Sequence, residues 1–463
     1  MNQKPSSSPA SINDRREIFG WIVYDWANSA FYTTVVAALF GEYLTSLAQT
    51  AVGENGTIFQ FGPLLVTSKS LAPFTTGVSV FLQVFLLPIL GAFGDYSSLK
   101  KRLMMLFCYL GVTATCLLYF LTPGRHLFGA IIFIIANVCF GASIVFYNSY
   151  LPDITTEDRR DHVSSAGFAW GYIGGGVLLA LNLIFVFLAP TLGISTGMAV
   201  RLSLLSAGLW WGGFSIITFT RLRTRLAARQ LPSDQSFLTI GFTELMSTFR
   251  ELLRLRETFK FLLGYLFYND GIQTVITISG PFLGQELFKA RGLETPPSFL
   301  LGILLLVQFV AFFGSLGFAR IAAWLGTKRA ILISLVGWCA IVIYAYGFLH
   351  TVPQAWVLAV CIAIVLGGSQ ALSRSLYSQM IPRNREASFF GIYEISERGT
   401  SWIGPIVFAE VVAYTDSYRQ AILSLIAFFV IGTIILMVTD TARAIHESGN
   451  LLPEEAGQRK PAG

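Results

Sequence analysis

The sequence predicts an all-α membrane protein with twelve transmembrane helices in two six-helix repeats. Three observations carry that expectation. Of the 463 residues, 54% are hydrophobic and only 13% charged, with a mean hydropathy of +0.63. Apolar runs close to the roughly 20 residues that cross a bilayer recur at 103–121, 131–147, 177–189, 330–349 and 421–438. Short strings of the first half also return in the second half in the same order. A soluble helical enzyme is excluded by the first two, because runs of this length leave too little polar surface for an aqueous exterior.

In chain order, the Ser/Pro-rich tail (1–20) lacks the apolar core of a signal peptide, so insertion rests on the first span. Six spans follow at about 21–47, 73–94, 103–122, 127–150, 163–189 and 200–220, together the N-terminal bundle (21–220). A linker occupies 221–257. Six more spans lie at about 258–287, 297–319, 330–349, 354–378, 388–413 and 419–438, together the C-terminal bundle (258–438), before a tail at 439–463. Spans 1, 7 and 11 are the least hydrophobic. In the linker, Phe242, Leu245, Met246, Phe249, Leu252 and Leu253 share a helical face with Arg250, Arg254 and Arg256 nearby. That pattern predicts an amphipathic helix lying on a leaflet.

Positive charge orients the chain. With the N-terminus in the cytoplasm, twenty-four of the 32 Lys and Arg fall on the cytoplasmic side and six outside, while Arg374 and Arg398 lie within spans. The positive-inside rule then places both termini in the cytoplasm, most simply at the cell membrane. The net charge of +6 and isoelectric point near 9.0 arise from these short loops, so nucleic acid is not an expected partner. Cys108, Cys116, Cys139, Cys339 and Cys361 sit in apolar spans and read as small hydrophobes. None of the four histidines shows metal-ligand spacing, and no cofactor motif is present.

The repeat is legible in several strings. Tyr147-Asn-Ser-Tyr-Leu-Pro152 reappears as Tyr377-Ser-Gln-Met-Ile-Pro382, and Ile173-Gly174 meets Ile403-Gly404 at the same offset. The loop Gly91 to Arg102 matches Gly317 to Arg329, and Tyr24-Asp25 corresponds to Asn269-Asp270. Two parallel six-helix halves joined by a cytoplasmic linker describe the major facilitator architecture, in which solute binds near the midplane between halves that rock.

Ionisable groups in spans cost at least about 2.5–3.5 kcal/mol each, so they mark work or pairing. Asp25, Asn28, Ser29 and Tyr32 share one face of span 1, and Asn269, Asp270, Gln273 and Thr277 repeat the theme in span 7. Span 4 offers Asn137 and Asn148. Span 10 carries Gln370, Arg374, Tyr377 and Ser378, and span 11 carries Glu394, Glu397, Arg398 and Ser401. The expected solute-binding or coupling residues are therefore Asp25, Asn28, Tyr32, Asn148, Asp270, Gln273, Gln370, Arg374, Tyr377, Glu394, Glu397 and Arg398. Asp25, Asp270 or Glu394 are the candidates for a coupling proton, and Arg374 is the expected counter-charge to Asp25 and Asp270 or the partner of a solute carboxylate. Plain pairing competes for two of these: Glu394 with Arg398 at i+4, and Glu397 with Arg374. Glu42, Glu286 and Glu410 lie nearer the surfaces and read as solvated.

The stretch from Gly91 through Asp95 and Lys100 to Arg102 resembles the superfamily's loop signature between helices 2 and 3, with Ser98 in place of the usual second glycine. That resemblance implies that Gly91, Asp95, Lys100 and Arg102 form an inward gate. Tyr24-Asp-Trp-Ala-Asn-Ser-Ala-Phe31, with Tyr268-Asn-Asp-Gly271, Gly367-Gly-Ser-Gln-Ala-Leu-Ser-Arg374 and Phe389-Phe-Gly-Ile-Tyr-Glu394, resembles the vacuole-effluxer-like branch of the major facilitator superfamily. Ser396-Glu-Arg-Gly399 departs from that branch's pattern. The resemblance implies a secondary transporter of a small polar solute. Amino acids are the class ascribed to fungal members. Protons and membrane lipids are the other expected partners, and the chain is expected to be monomeric. The competing readings are an exporter of drugs or of peptide-like or lipid-like compounds, and an integral membrane enzyme. The enzyme reading lacks a His/Asp or clustered-carboxylate set at the membrane surface.

Overall fold

The computed structural model describes residues 12–62, 64–95, 99–224, 237–399 and 403–458, with side chains of the linker helix from Thr243 onward. Ser98 and Ser401 lie outside them, as do the outermost parts of both tails. Ten helices among the described residues are each long and apolar enough to cross a membrane: Arg15–Val52, Leu71–Asp95, Lys100–Phe120, His126–Ile154, Glu157–Leu188, Thr196–Arg221, Pro297–Leu325, Thr327–Gly347, Val352–Gln379 and Tyr418–Val438. The remaining two spans are Arg256–Leu287 and the segments Glu386–Glu394, Ile395–Gly399 and Ile403–Thr415. Asp270 inside span 7, and Glu394, Glu397 and Arg398 inside span 11, lower their hydropathy. The polar residues that made these spans hard to see are the ones that bring them to the site.

Each half packs its own apolar core. One cluster runs from Ile18 to Leu222, the other from Leu252 to Ile445. Glycines set the closest helix contacts. A Cβ on Gly174 would lie 2.4 Å from the Trp26 carbonyl oxygen of span 1, and one on Gly367 would lie 2.4 Å from the Ala311 carbonyl oxygen of span 8. Small residues at these crossings let backbones touch where lipid supplies no hydrophobic drive.

Three local features depart from simple spans. Span 1 widens into a π-helical stretch at Phe31–Leu39, where the Thr33 hydroxyl bonds the Ser29 carbonyl (2.9 Å) and the Gly175 carbonyl of span 5 (3.2 Å). Such widened turns are frequent at functional sites. Span 11 is π-helical at Ile395–Gly399 and α-helical over Ile403–Thr415. The loop after span 1, read from sequence only as a loop, forms an antiparallel hairpin of β1 (Thr57–Phe61) and β2 (Leu64–Thr67).

The linker helix, Phe237–Arg254, is amphipathic as expected, but its faces divide differently. Met246, Phe249 and Leu253 are exposed, while Leu252 is buried against the protein. Its polar residues Glu244 and Thr248 are also buried, against the Arg385 guanidinium in the loop between spans 10 and 11. The exposed stripe fits an apolar leaflet.

Both described ends of the chain reach the same face of the bundle. Asn13 bonds Thr156 and Ile154, and Asn450 bonds the carbonyls of Gln379 and Ile381. Among the described residues, every hydrogen bond joining the two halves lies at or on the terminus-bearing side of the midplane. None joins them at the opposite face.

Candidate functional site

The site is built on Arg374, five residues before the end of span 10 and only 3% exposed. All three guanidinium nitrogens donate to groups of the other half. Nε bonds the Ser164 hydroxyl (2.9 Å) and Nη2 the Ser164 carbonyl (2.9 Å). Nη1 bonds Asn148 Oδ1 (3.2 Å), and both terminal nitrogens reach Asp25 Oδ2 (3.4 Å). Asp25 Oδ2 also accepts from the Tyr147 hydroxyl at 2.7 Å. The cation sits among aromatic faces, 4.2 Å from the Phe168 ring centroid and 4.9 Å from that of Trp21. Trp21 is held in turn by stacking on Tyr147 at 4.4 Å and by its N–H on the Tyr147 carbonyl. A guanidinium tolerates this apolar box because the π faces and hydrogen bonds replace its water.

Asn148 extends the chain of contacts into span 11. Its Nδ2 donates to Glu394 Oε1 (2.9 Å), and the other Glu394 oxygen accepts from Arg398 Nε (2.8 Å). Arg398 lies over the Phe140 ring of span 4 at 5.1 Å. Spans 1, 4, 5, 10 and 11 thus converge on one polar network, with Asp25, Asn148, Arg374, Glu394 and Arg398 linked in series. Asn28 is buried nearby in sequence with its side-chain nitrogen unpartnered among the described residues, whereas Tyr32 is 40% exposed. Gln370 accepts from the Tyr172 hydroxyl at 3.1 Å, a contact of span 10 with span 5.

Other residues singled out from sequence sit elsewhere. Asp270 is fully buried, and its Oδ2 accepts from the backbone N–H of Gly404 (2.8 Å) while Oδ1 has no partner. It is therefore held to the Ile403–Thr415 part of span 11 rather than meeting Arg374. Asn269 assists by donating to the Glu397 carbonyl at 3.0 Å. Gln273 is half-buried one turn further on. The Tyr377 hydroxyl bonds the Phe389 carbonyl (2.9 Å) inside the aromatic core of its own half. The Arg374 guanidinium gives its hydrogen bonds to the first half, not to Glu397. Glu286, read as merely solvated, pairs with Arg419 at 2.7 Å. Sequence reasoning missed Ser164, Tyr147, Trp21 and Phe168, which hold Arg374. A serine or aromatic in an apolar span carries no signal of its own.

On the terminus-bearing side, the loop after span 2 meets span 11. Asp95 accepts from the backbone N–H groups of Ala387 (2.9 Å) and Ser388 (2.8 Å), at the first turn of the Glu386–Glu394 helix. Lys100 pairs with Asp153 at 2.9 Å, and Arg102 is exposed. A Cβ on Gly91 would fall 2.2 Å from the Ala387 carbonyl oxygen, so only glycine allows this approach. Around it, Arg160 donates to the Ser378 carbonyl (2.9 Å), Arg383 to Glu157 (2.9 Å) and Thr327 to Asp161 (2.5 Å). Gly91→Val is accordingly expected to separate span 2 from span 11. Cross-linking between cysteines at Leu90 and Ser388 should then fall several-fold, and unchanged cross-linking would mean the close packing has no bearing on closure.

Two six-helix halves meeting across a buried polar network have the architecture of major facilitator transporters. Solved structures share the fold: a proton:xylose symporter, XylE, aligns over 96% of this chain and 98% of its own at 12% identity with a TM-score of 0.67. An outward conformation of FucP aligns over 92% and 98% at 12% identity with a TM-score of 0.63. The chain belongs to the family described as "Vacuole effluxer Atg22 like", whose sequence model matches residues 13–449. Among its relatives, an uncharacterized MFS-type transporter, YxiO, from Bacillus subtilis is 32% identical over 94% of this chain and 97% of its own length. Autophagy-related protein 22 of Yarrowia lipolytica is 26% identical over 84% of this chain and 79% of its own.

Proposed function

We propose that the protein moves a small polar solute, of the amino-acid class, across the cell membrane by alternating access and proton coupling. The observation that carries this reading is the network from Asp25 through Arg374, Asn148 and Glu394 to Arg398. It crosses between the halves near the terminus-bearing ends of spans 4 and 10 and is dismantled if they rock apart there. A buried set with both signs of charge matches a solute bearing polar groups of both signs. The gate of Gly91, Asp95 and the first turn of span 11 closes the terminus-bearing side, and Lys100 braces its loop through Asp153. For the coupling proton the best-placed carboxyl is Asp270, buried with one oxygen unpartnered and no cation paired with it among the described residues. The decisive experiment is uptake and efflux by the full chain in sealed vesicles across a metabolite panel, with and without a pH gradient. Wild type should accumulate an amino-acid-like solute only with the gradient. Asp270→Asn should keep gradient-free exchange but lose accumulation. Accumulation by that variant at the wild-type level would remove Asp270 from coupling.

Both termini face the cytoplasm in this reading, which the distribution of Lys and Arg supports. In a cysteine-free background, an impermeant maleimide added outside should label cysteines placed at Glu54 and Gly292, and leave those at Leu99 and Ser233 untouched. The reverse pattern would invert the orientation.

A further inference from the structure

The two arginines of the network are in opposite states. A guanidinium carries five N–H donors in a planar fork. Arg374 has all three nitrogens engaged by Asp25, Asn148 and Ser164 and is 3% exposed. Arg398 has only Nε engaged, on Glu394, and its side chain is 19% exposed. Its two terminal nitrogens donate to no described residue. They are the bidentate edge of the fork, the part that recognises carboxylates. Their place is the π-helical turn Ile395–Gly399 of span 11, set against Phe140 of the opposite half.

We propose that Arg398, and not Arg374, is the residue that takes an anionic group of the solute, with its open terminal nitrogens on a carboxylate. This rests on the transport reading above and refines it. Arg374 then works as the polar bolt between the halves, already saturated by protein. Charge favours a monoanionic group over a dianion. The network holds two cations, Arg374 and Arg398, against two carboxylates, Asp25 and Glu394, so it is balanced before a solute arrives and a dianion would add one more uncompensated charge than a monoanion. The π-helical turn supplies the mobility, because its widened backbone lets Arg398 move with the solute while Glu394 holds its Nε.

The test uses the purified full chain in lipid nanodiscs and its thermal unfolding midpoint. The probes are acetate, lactate and L-alanine against acetamide, lactamide and L-alaninamide, with inorganic phosphate as a further probe. At least one acid should raise the wild-type midpoint while its amide does not. Arg398→Gln should lose the response, and Glu394→Gln/Arg398→Gln, which removes the stranded buried carboxylate as well, should recover the ligand-free midpoint without recovering the response. Arg398→Lys, which retains charge without the fork, should weaken apparent affinity by about tenfold or more. The proposal is overturned if Arg398→Gln responds like wild type, if amides match acids, if phosphate alone acts, or if no acid stabilises wild type. Wild-type flux of an uncharged solute through Arg398→Gln would reject this assignment and leave the transport reading standing.

Discussion

Arg374→Gln is expected to reduce transport by roughly 100-fold or more, the largest effect of any single substitution in the network. The side chain joins spans 1, 4 and 5 to span 10, and its removal leaves Asp25 facing Tyr147 with no cation. Breaking a buried pair by deleting one partner costs about 3–5 kcal/mol, because the other charge stays in low dielectric. At about 1.4 kcal/mol per tenfold, such a loss moves a two-state equilibrium by two to three orders of magnitude. The state that suffers is the one with the terminus-bearing side closed, since that is where the contacts are made. Two readouts separate this from misfolding. A cysteine at Ser378, which lies beneath Arg160 in the closed state, should label rapidly from the terminus-bearing side in Arg374→Gln and slowly in wild type. The double variant Asp25→Asn/Arg374→Gln removes the stranded charge as well, so its thermal stability should recover by more than the two single losses predict. Equal labelling in wild type and Arg374→Gln would mean that Arg374 does not hold the halves together.

The helices of this fold were readable because their signal is local. Runs of about twenty apolar residues declare themselves without reference to any neighbour, and structural boundaries such as Leu71–Asp95 and Val352–Gln379 fall close to the expected 73–94 and 354–378. The interruptions were less readable. Nothing in Ile395-Ser-Glu-Arg-Gly399 announces a π-helical turn except the charges that made span 11 weak. Span 7 holds this part of span 11 from outside, with Asn269 on the Glu397 carbonyl and Asp270 on the Gly404 N–H. The site was half legible for the same reason. Charged residues in apolar spans stand out, and Asp25, Asn148, Arg374, Glu394 and Arg398 do meet. Which charge faces which depends on rotation of helices about their own axes, a tertiary quantity. Asp270 illustrates the limit: matched to Asp25 by the repeat, it accepts from the Gly404 N–H in its own half. The two halves share an architecture, and their corresponding carboxylates have different neighbours.

Asp95→Asn is the second large expectation, a shift of roughly 10- to 100-fold toward the state with the terminus-bearing side open. Each Asp95 oxygen accepts one backbone N–H from the first turn of span 11, where those donors have no partner within their own helix. The carboxylate also faces the positive end of the helix dipole, a place where negative charge is stabilising. Asparagine fills the same volume but presents one oxygen and one NH₂ group. One backbone N–H then keeps its acceptor, and the other meets a second donor in a buried site. Loss of a hydrogen bond to a charged acceptor costs about 1.5–3 kcal/mol, which corresponds to the stated range. Lys100, whose principal contact is Asp153, should remain in place, so the damage is confined to the seam between spans 2 and 11. Asp95→Glu should also weaken closure, because the longer side chain cannot place both oxygens at 2.8–2.9 Å beside the close Gly91 contact. The measurement is the rate at which a cysteine at Ser378 is labelled from the terminus-bearing side, alongside transport at matched expression. Faster labelling with slower transport is expected for both variants. Wild-type values for labelling and transport in Asp95→Asn would reduce the contact to a surface turn with no part in the cycle.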